Sequence, residues 1–254
     1  MSFIIPKVIG HRGAKAYAPE NTLTSFHTAA DMGIEWVEFD VKLSKDGEPI
    51  VFHDDTLLRT TGTEGKVADL TWQELQELDA GSWFSTSFAG TSIPHLEQVL
   101  ETLINRGMQG CNIEIKACEG REEETTEVAL DWATRIWPDD QQPPLISSFS
   151  QVSLEAALHM APAWPRGLLL DNGNADNMPE DWLKLAEHLD VSTINPDGNF
   201  VTPEELQAYM ATELPVLCYT INEPNRALEL FELGVKAVFS DNPDLIIEEI
   251  ETFH

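Results

Sequence analysis

Short apolar runs recur along the chain. Each is followed by a polar turn and then by a stretch with apolar residues three and four positions apart. The runs occupy residues 8–10, 36–43, 111–116, 145–149, 167–170, 191–194, 216–220 and 237–239. Runs this short, bounded by turn residues, read as strands, and the periodic stretches between them read as helices. Leu96, Val99, Leu100, Leu103 and Ile104 mark one helical face. Thr202-Pro203-Glu204-Glu205 is a capping box with proline at the first helical position, and Asn242-Pro243-Asp244 opens the last helix with an acid near its positive end.

Eight strands, each followed by a helix, imply parallel strands joined by crossovers. In a chain of 254 residues, near the typical length of about 250, the pattern predicts a closed TIM (β/α)8 barrel spanning 1–254 as a single domain. An open doubly wound sheet is the alternative, but no glycine-rich dinucleotide fingerprint supports it. One interval breaks the rhythm. After the second strand comes a further run, Ile50-Val51-Phe52, and then a long stretch before the helix near His95. It is far longer than an ordinary βα loop. It carries its own capping box, Thr71-Trp72-Gln73-Glu74, and a Ser82-Trp83-Phe84 segment. The expectation is a small inserted subdomain at about 55–94, on the C-terminal rim where barrels carry function.

Composition narrows the classes of function. Fifteen basic against 44 acidic residues give a net charge of −29, which argues against nucleic-acid binding and against docking on anionic lipid. Basic residues nevertheless gather early. Seven of the 15 lie in the first 66 positions, whereas from Asp171 onward there are 18 acids and only Lys184, Arg226 and Lys236. The first third is therefore the expected anion-binding side. Cys111, Cys118 and Cys218 form an odd set with no close pair, which favours a reducing compartment. The N-terminus shows no signal-peptide pattern and no segment is long enough to span a bilayer, so the expected location is the cytoplasm with no stable membrane anchor.

Alternation within the strands places the candidate chemistry. Glu38 and Asp40 share one face of the second strand, with Val37, Phe39 and Val41 on the other. Glu114 and Lys116 likewise oppose Ile113 and Ile115. If the apolar residues pack on the helices, three carboxylates and a lysine point into the barrel mouth. Like charges so close raise one another's pKa. A hard divalent cation relieves this, and oxygen-only ligands suit Mg²⁺ or Ca²⁺. Solvated charges on edge strands are the alternative reading.

The first strand ends in Gly10-His11-Arg12-Gly13, and His53 ends the run 50–53 ahead of Asp54 and Asp55. Two histidines beside a carboxylate cluster suit a general acid and a general base, and Arg12 suits a phosphate or a carboxylate. His27, His95, His159, His188 and His254 fall on helices, at a helix start or at the terminus, and read as structural or surface groups. Ser147-Ser148-Phe149-Ser150 and Tyr219-Thr220-Ile221-Asn222 close later strands, in pocket-lining or capping roles.

These motifs are familiar as a set. Gly10-His11-Arg12-Gly13, Pro19-Glu20-Asn21-Thr22, Glu38-Phe39-Asp40-Val41, Lys45-Asp46-Gly47 and His53-Asp54 resemble the glycerophosphodiester phosphodiesterase family, in its cytoplasmic bacterial form. So do Arg59-Thr60-Thr61, Ile93-Pro94, Glu114-Ile115-Lys116 and Ser240-Asp241-Asn242-Pro243, in family order along nearly the whole chain. The resemblance implies a TIM barrel with a small insertion and hydrolysis of glycerophosphodiesters, such as glycerophosphocholine, to glycerol 3-phosphate and an alcohol. It assigns a metal to Glu38, Asp40 and Glu114, acid–base roles to His11 and His53, and phosphate contacts to Arg12 and Lys116. Ser44 stands where the family often has threonine, and Tyr219 where tryptophan is common. Phe84 and Tyr219 are the candidate walls of the substrate pocket.

A rival reading is a phospholipase D-like activity on lysophospholipids, for which Trp83, Phe84 and Phe88 would form an apolar entrance; the acidic surface counts against it. An enolising barrel enzyme would carry its acids on mid-barrel strands. A non-enzymatic binding protein would tolerate loss of a histidine or carboxylate, and none is lost. The head-group alcohol, the choice between Mg²⁺ and Ca²⁺, and homo-oligomerisation are left open by the sequence.

Overall fold

Each apolar run becomes a strand, and the strands close on themselves. The computed structural model describes residues 3–174 and 177–252. Eight parallel strands form the barrel: β1 (Val8–Gly10), β2 (Trp36–Leu43), β4 (Gly110–Ile115), β5 (Leu145–Ser148), β6 (Arg166–Leu170), β7 (Thr193–Pro196), β8 (Leu217–Cys218) and β9 (Ala237–Ser240). They pair in the order β7-β6-β5-β4-β2-β1-β9-β8. Between β7 and β8 the ladder thins to the bridges Ile194↔Val216 and Asp197↔Tyr219. Pro196 and Pro215 stand at this seam and contribute carbonyls but no amide donors, so the two strands share few bonds. The bonds from Ile194 N to Pro215 O and from Tyr219 N to Pro196 O nevertheless close the TIM barrel.

The extra apolar run is β3 (Pro49–Val51), which pairs antiparallel with β2 and is not a barrel stave. The chain then forms α2 (Leu58–Thr61), α3 (Trp72–Leu75) and two 3₁₀ turns before α4 (Leu96–Asn105). This stretch has its own small core, in which Phe52, Leu57, Val67, Leu75, Ala80 and Ile93 are buried together with Ile50. The Thr71/Glu74 and Thr202/Glu205 capping boxes both form.

The remaining helices are α1 (Leu23–Asp31), α5 (Glu122–Ile136), α6 (Gln151–Met160), α7 (Trp182–His188), α8 (Pro203–Met210), α9 (Pro224–Glu232) and α10 (Pro243–Thr252). Outward-facing strand residues such as Val37, Phe39, Val41, Ile113 and Ile115 pack against α1, α4 and α5. Inside, Ile9, Trp36, Leu145, Leu217 and Phe239 form a separate buried plug. A side chain at Gly110 would meet the Trp36 indole at 2.3 Å, so glycine there lets the plug fit. Trp36, Glu38 and Asp40 share one face of β2, so the apolar plug supports a polar layer above it. Among the described residues no helix is long and apolar enough to cross a membrane.

Candidate active site

Register brings the acids together. Asp40 on β2 pairs with Glu114 on β4, and Glu38 pairs with Asn112. One oxygen from each of Glu38, Asp40 and Glu114 lies within 4.8 Å of the others. Glu38 and Asp40 are only 2% and 1% exposed. Burial, with Asp40 and Glu114 alongside, pushes the Glu38 carboxyl well above its ordinary range. Burial also raises Glu114, against the pull of Lys116. Burial opposes ionisation of Asp40 as well, but Arg12, Lys116 and the hydrogen bond from Asn21 hold it well below the usual carboxylate range. Glu38 Oε1 is buried with no hydrogen-bond partner. An orphaned oxygen, crowded acids and an all-oxygen donor set fit a hard divalent cation.

The β1 turn wraps around this cluster. The Arg12 amide donates to Glu38 Oε2 at 2.9 Å, from a backbone at φ 50°. Gly10 is needed because a Cβ there would lie 2.5 Å from the Gly13 carbonyl oxygen. The Arg12 side chain donates to Glu20 Oε1 at 2.7 Å and its Nε lies 3.3 Å from Asp40 Oδ2. Asn21 Nδ2 donates to Asp40 Oδ2 at 2.8 Å. Just past the end of β4, Lys116 Nζ donates to Glu114 Oε1 at 2.9 Å. Its backbone is held by buried Lys42, whose ammonium donates to the Lys116 carbonyl at 2.7 Å and to Asp55.

The two histidines are set up alike. His11 Nδ1 lies 2.6 Å from Asp241 Oδ1, and His53 Nδ1 lies 2.6 Å from Asp54 Oδ1. An ionised carboxylate only accepts, so each Nδ1 carries the hydrogen and each Nε2 is left with a lone pair. Burial and the Arg12 charge push His11 down to about 4, outweighing Asp241. Burial, Arg12 and Lys116 lower His53 too, against the pull of Asp40 and Asp54. His11 Nε2 is 3.9 Å from Glu38 Oε2; with a neutral ring this is proximity rather than an ion pair.

His11, Arg12, Glu38, His53, Glu114 and Lys116 line one cavity of about 280 Å³ at the C-terminal ends of the strands. Asp40 lies just behind, held by Arg12 and Asn21. Tyr219 also lines the cavity; its ring meets Phe149 edge-on at 5.8 Å, and its hydroxyl donates to the Leu170 carbonyl. Phe84 is not among the lining residues. It stacks edge-to-face with Trp83 and Phe88, at 5.7 and 5.5 Å, so its ring is taken up by neighbours on the inserted stretch.

Several polar neighbours escaped the sequence reading. Asp241 and Asp54 follow strand ends, but spacing alone does not place their carboxylates on the histidine rings. Glu20, Asn21 and Arg59 join the cluster through side chains that sequence spacing does not relate. Asn112 could have been found, since it lies two residues before Glu114 on the same face and lines the cavity. The other histidines lie elsewhere: His95 caps α4 between Trp72 and Trp132, and His27, His159 and His188 are exposed. His254 lies outside the described residues.

Residues 11–245 match the Glycerophosphoryl diester phosphodiesterase family. A glycerophosphodiester phosphodiesterase of Caldanaerobacter subterraneus subsp. tengcongensis is 32% identical over 244 residues, covering 94% of this chain and 96% of the relative. One from Bacillus altitudinis is 32% identical over 244 residues, covering 95% and 97%. An Oleispira antarctica phosphodiesterase, solved in complex with the product sn-glycerol-3-phosphate, superposes with a TM-score of 0.91 at 40% identity and covers 97% of each chain.

Proposed function

The chain belongs to the glycerophosphoryl diester phosphodiesterase family and is a phosphoric diester hydrolase, and from that premise we propose how its residues divide the work. Glycerophosphodiesters are cleaved to glycerol 3-phosphate and an alcohol, a reading supported by the product in the Oleispira antarctica relative. Arg12 and Lys116 bind the phosphate. His11 and His53 share the proton transfers: one accepts the proton of the attacking hydroxyl, the other protonates the departing alkoxide as the P–O bond to the alcohol breaks. The attacking hydroxyl is either water, which gives glycerol 3-phosphate directly, or the substrate's own glycerol 2-hydroxyl, which gives a cyclic phosphate that water then opens to glycerol 3-phosphate. Glu38, Asp40 and Glu114 would hold a Mg²⁺ or Ca²⁺ ion, which when bound would supply Lewis-acid stabilisation of the phosphoryl charge.

The observation that carries this reading is the convergence on one cavity of two Nδ1-anchored histidines, two cations and an orphaned carboxylate oxygen. We further read 1–254 as one domain with the stretch at about 55–94 as its inserted subdomain, acting in the cytoplasm, a location favoured by the odd cysteine set. The test is release of glycerol 3-phosphate from a panel of glycerophosphodiesters, by stripped protein and by protein resupplied with Mg²⁺ or Ca²⁺. Activity that survives verified metal removal overturns the metal assignment. Faster turnover of a lysophospholipid than of glycerophosphocholine overturns the substrate class.

A further inference from the structure

Arg59 sits on α2, five residues after Asp54, and its guanidinium takes two carboxylates at once. Nη1 donates to Glu20 Oε2 at 2.8 Å and Nη2 to Glu20 Oε1 at 2.7 Å. Nε donates to Asp54 Oδ2 at 2.7 Å and Nη2 to Asp54 Oδ1 at 2.9 Å. Each carboxylate has a second partner in the cavity wall. Glu20 Oε1 accepts from Arg12 Nη1 at 2.7 Å, and Asp54 Oδ1 accepts from His53 Nδ1 at 2.6 Å. The result is an unbroken chain of alternating charge: Arg12, Glu20, Arg59, Asp54, His53.

We propose that Arg59 is a positioning residue, which fixes the distance and orientation between Arg12 on the β1 turn and His53 after β3. The proposal rests on the two-histidine reading above. Arg12 and His53 follow β1 and β3, which both pair with β2 but not with each other, and the pairing stops at Gly10 and Val51, so the ladders bring the two segments near but leave the two side chains to be oriented by their own contacts. A planar fork with several donors orients them, because both carboxylates must lie at its edges. Glu20 is buried; burial opposes its ionisation, and the hydrogen bond from Arg59 and the Arg12 charge keep it ionised. Without Arg59, Glu20 keeps only Arg12 as cation, and that guanidinium is drawn toward it. Asp54 keeps only His53 and is free to turn, taking the ring with it. The Arg59 guanidinium also lies 6.0 Å from the Trp83 ring centroid, so another part of the same inserted stretch packs against it.

A lysine retains the charge but offers a single ammonium, which cannot fork two carboxylates. The full chain, supplied with Mg²⁺ or Ca²⁺, is assayed on glycerophosphocholine as R59K and R59A, with H53A alongside. The expected result is a kcat lower by roughly ten- to a hundredfold in both Arg59 variants, the scale of misplaced catalytic groups. KM should rise by less. Millimolar guanidinium should restore part of the kcat of R59A and none of that of H53A. R59K, folded as judged by its melting temperature, should stay impaired. Wild-type kcat in folded R59K or R59A overturns the proposal, as does a loss in R59A that guanidinium does not restore and that tracks the unfolded fraction. Near-normal activity of H53A instead overturns the two-histidine reading, whatever the Arg59 variants do.

Discussion

The His11 imidazole and the Asp241 carboxylate lie 2.6 Å apart although 230 positions separate them in the chain. Barrel closure makes the contact, since β1 pairs with β9 and Gly10 lies opposite Ser240. Asp241 is itself held by Asn222, whose side chain donates to Oδ2 and accepts from the Asp241 amide. Asp241→Asn should leave the fold intact but free the ring to adopt the other tautomer. We expect kcat to fall at least tenfold, the usual scale for losing a group that orients a catalytic ligand. Removing the carboxylate also removes an influence that raises the His11 pKa, so that pKa should drop further below about 4. Histidine NMR titration and steady-state kinetics check both outcomes.

The carboxylate cluster makes a prediction about stability that needs no substrate. Glu38 and Glu114 have folded pKa values above their unfolded ones. In that case the folded state binds more protons, so stability falls as pH rises from the ordinary carboxylate range through the folded values. Stripped protein should therefore lose melting temperature across that window. Added Mg²⁺ or Ca²⁺ should restore it, increasingly so at higher pH. Glu38→Gln removes one buried charge and should raise the melting temperature of stripped protein while cutting the metal-induced shift. Thermal denaturation with and without chelator measures this. An unchanged metal-induced shift in Glu38→Gln would remove Glu38 from the ligand set.

The barrel and the charged layer were legible because both depend on local periodicity. Alternation alone put Glu38 and Asp40 on one face, and the parallel register then set Asp40 beside Glu114. The boundaries were less legible where proline intervenes. The run 191–194 became Thr193–Pro196 and the run 216–220 shrank to Leu217–Cys218, because the two sides of this seam offer few amide donors. Residues that act through side-chain reach were not legible as site groups. Glu20 meets Arg59 across 39 positions and Asp241 meets His11 across 230, and no spacing rule encodes that. The Phe84 expectation rested on where the inserted stretch lies. An aromatic ring also packs on its nearest aromatic neighbours, and Trp83 and Phe88 are one and four residues away.

The two pocket candidates should accordingly separate in mutagenesis. Phe84→Ala removes the ring between Trp83 and Phe88, so melting temperature should drop while KM stays within about twofold, as the loss is one of packing. Tyr219→Phe keeps the ring against Phe149 but loses the hydroxyl donated to Leu170, a change of about 1 kcal/mol in stability. Tyr219→Ala opens the cavity wall and should raise KM, and it should lower the melting temperature further than the phenylalanine variant because the ring also packs against Phe149 and the barrel plug. A large KM effect from Phe84→Ala would mean that the inserted stretch folds over bound substrate.

The last prediction assigns the proton carriers. His11 is neutral at pH 7, since burial and Arg12 push it down to about 4, and its Nε2 faces the carboxylate cluster. A neutral ring is ready to accept a proton, so His11 is expected to act as the base and His53 as the acid. His53 is also lowered, by burial first and then by Arg12 and Lys116. An acid must be protonated, and the anionic phosphate of a bound diester supplies the charge that favours an imidazolium. The pH profile should therefore be a bell whose descending limb lies at higher pH for kcat, which reports the substrate complex, than for kcat/KM, which reports the free enzyme. Each of His11→Ala and His53→Ala should lower kcat by roughly a hundredfold or more on glycerophosphocholine. The double variant should lose far less than the product of the two, because a coupled pair fails once either member is gone. A nitrophenyl diester has a leaving group that needs little protonation, so it should rescue His53→Ala and leave His11→Ala impaired. Rescue of His11→Ala instead would exchange the two roles, and near-normal kcat in both single variants on the natural diester would remove the histidine pair from the mechanism.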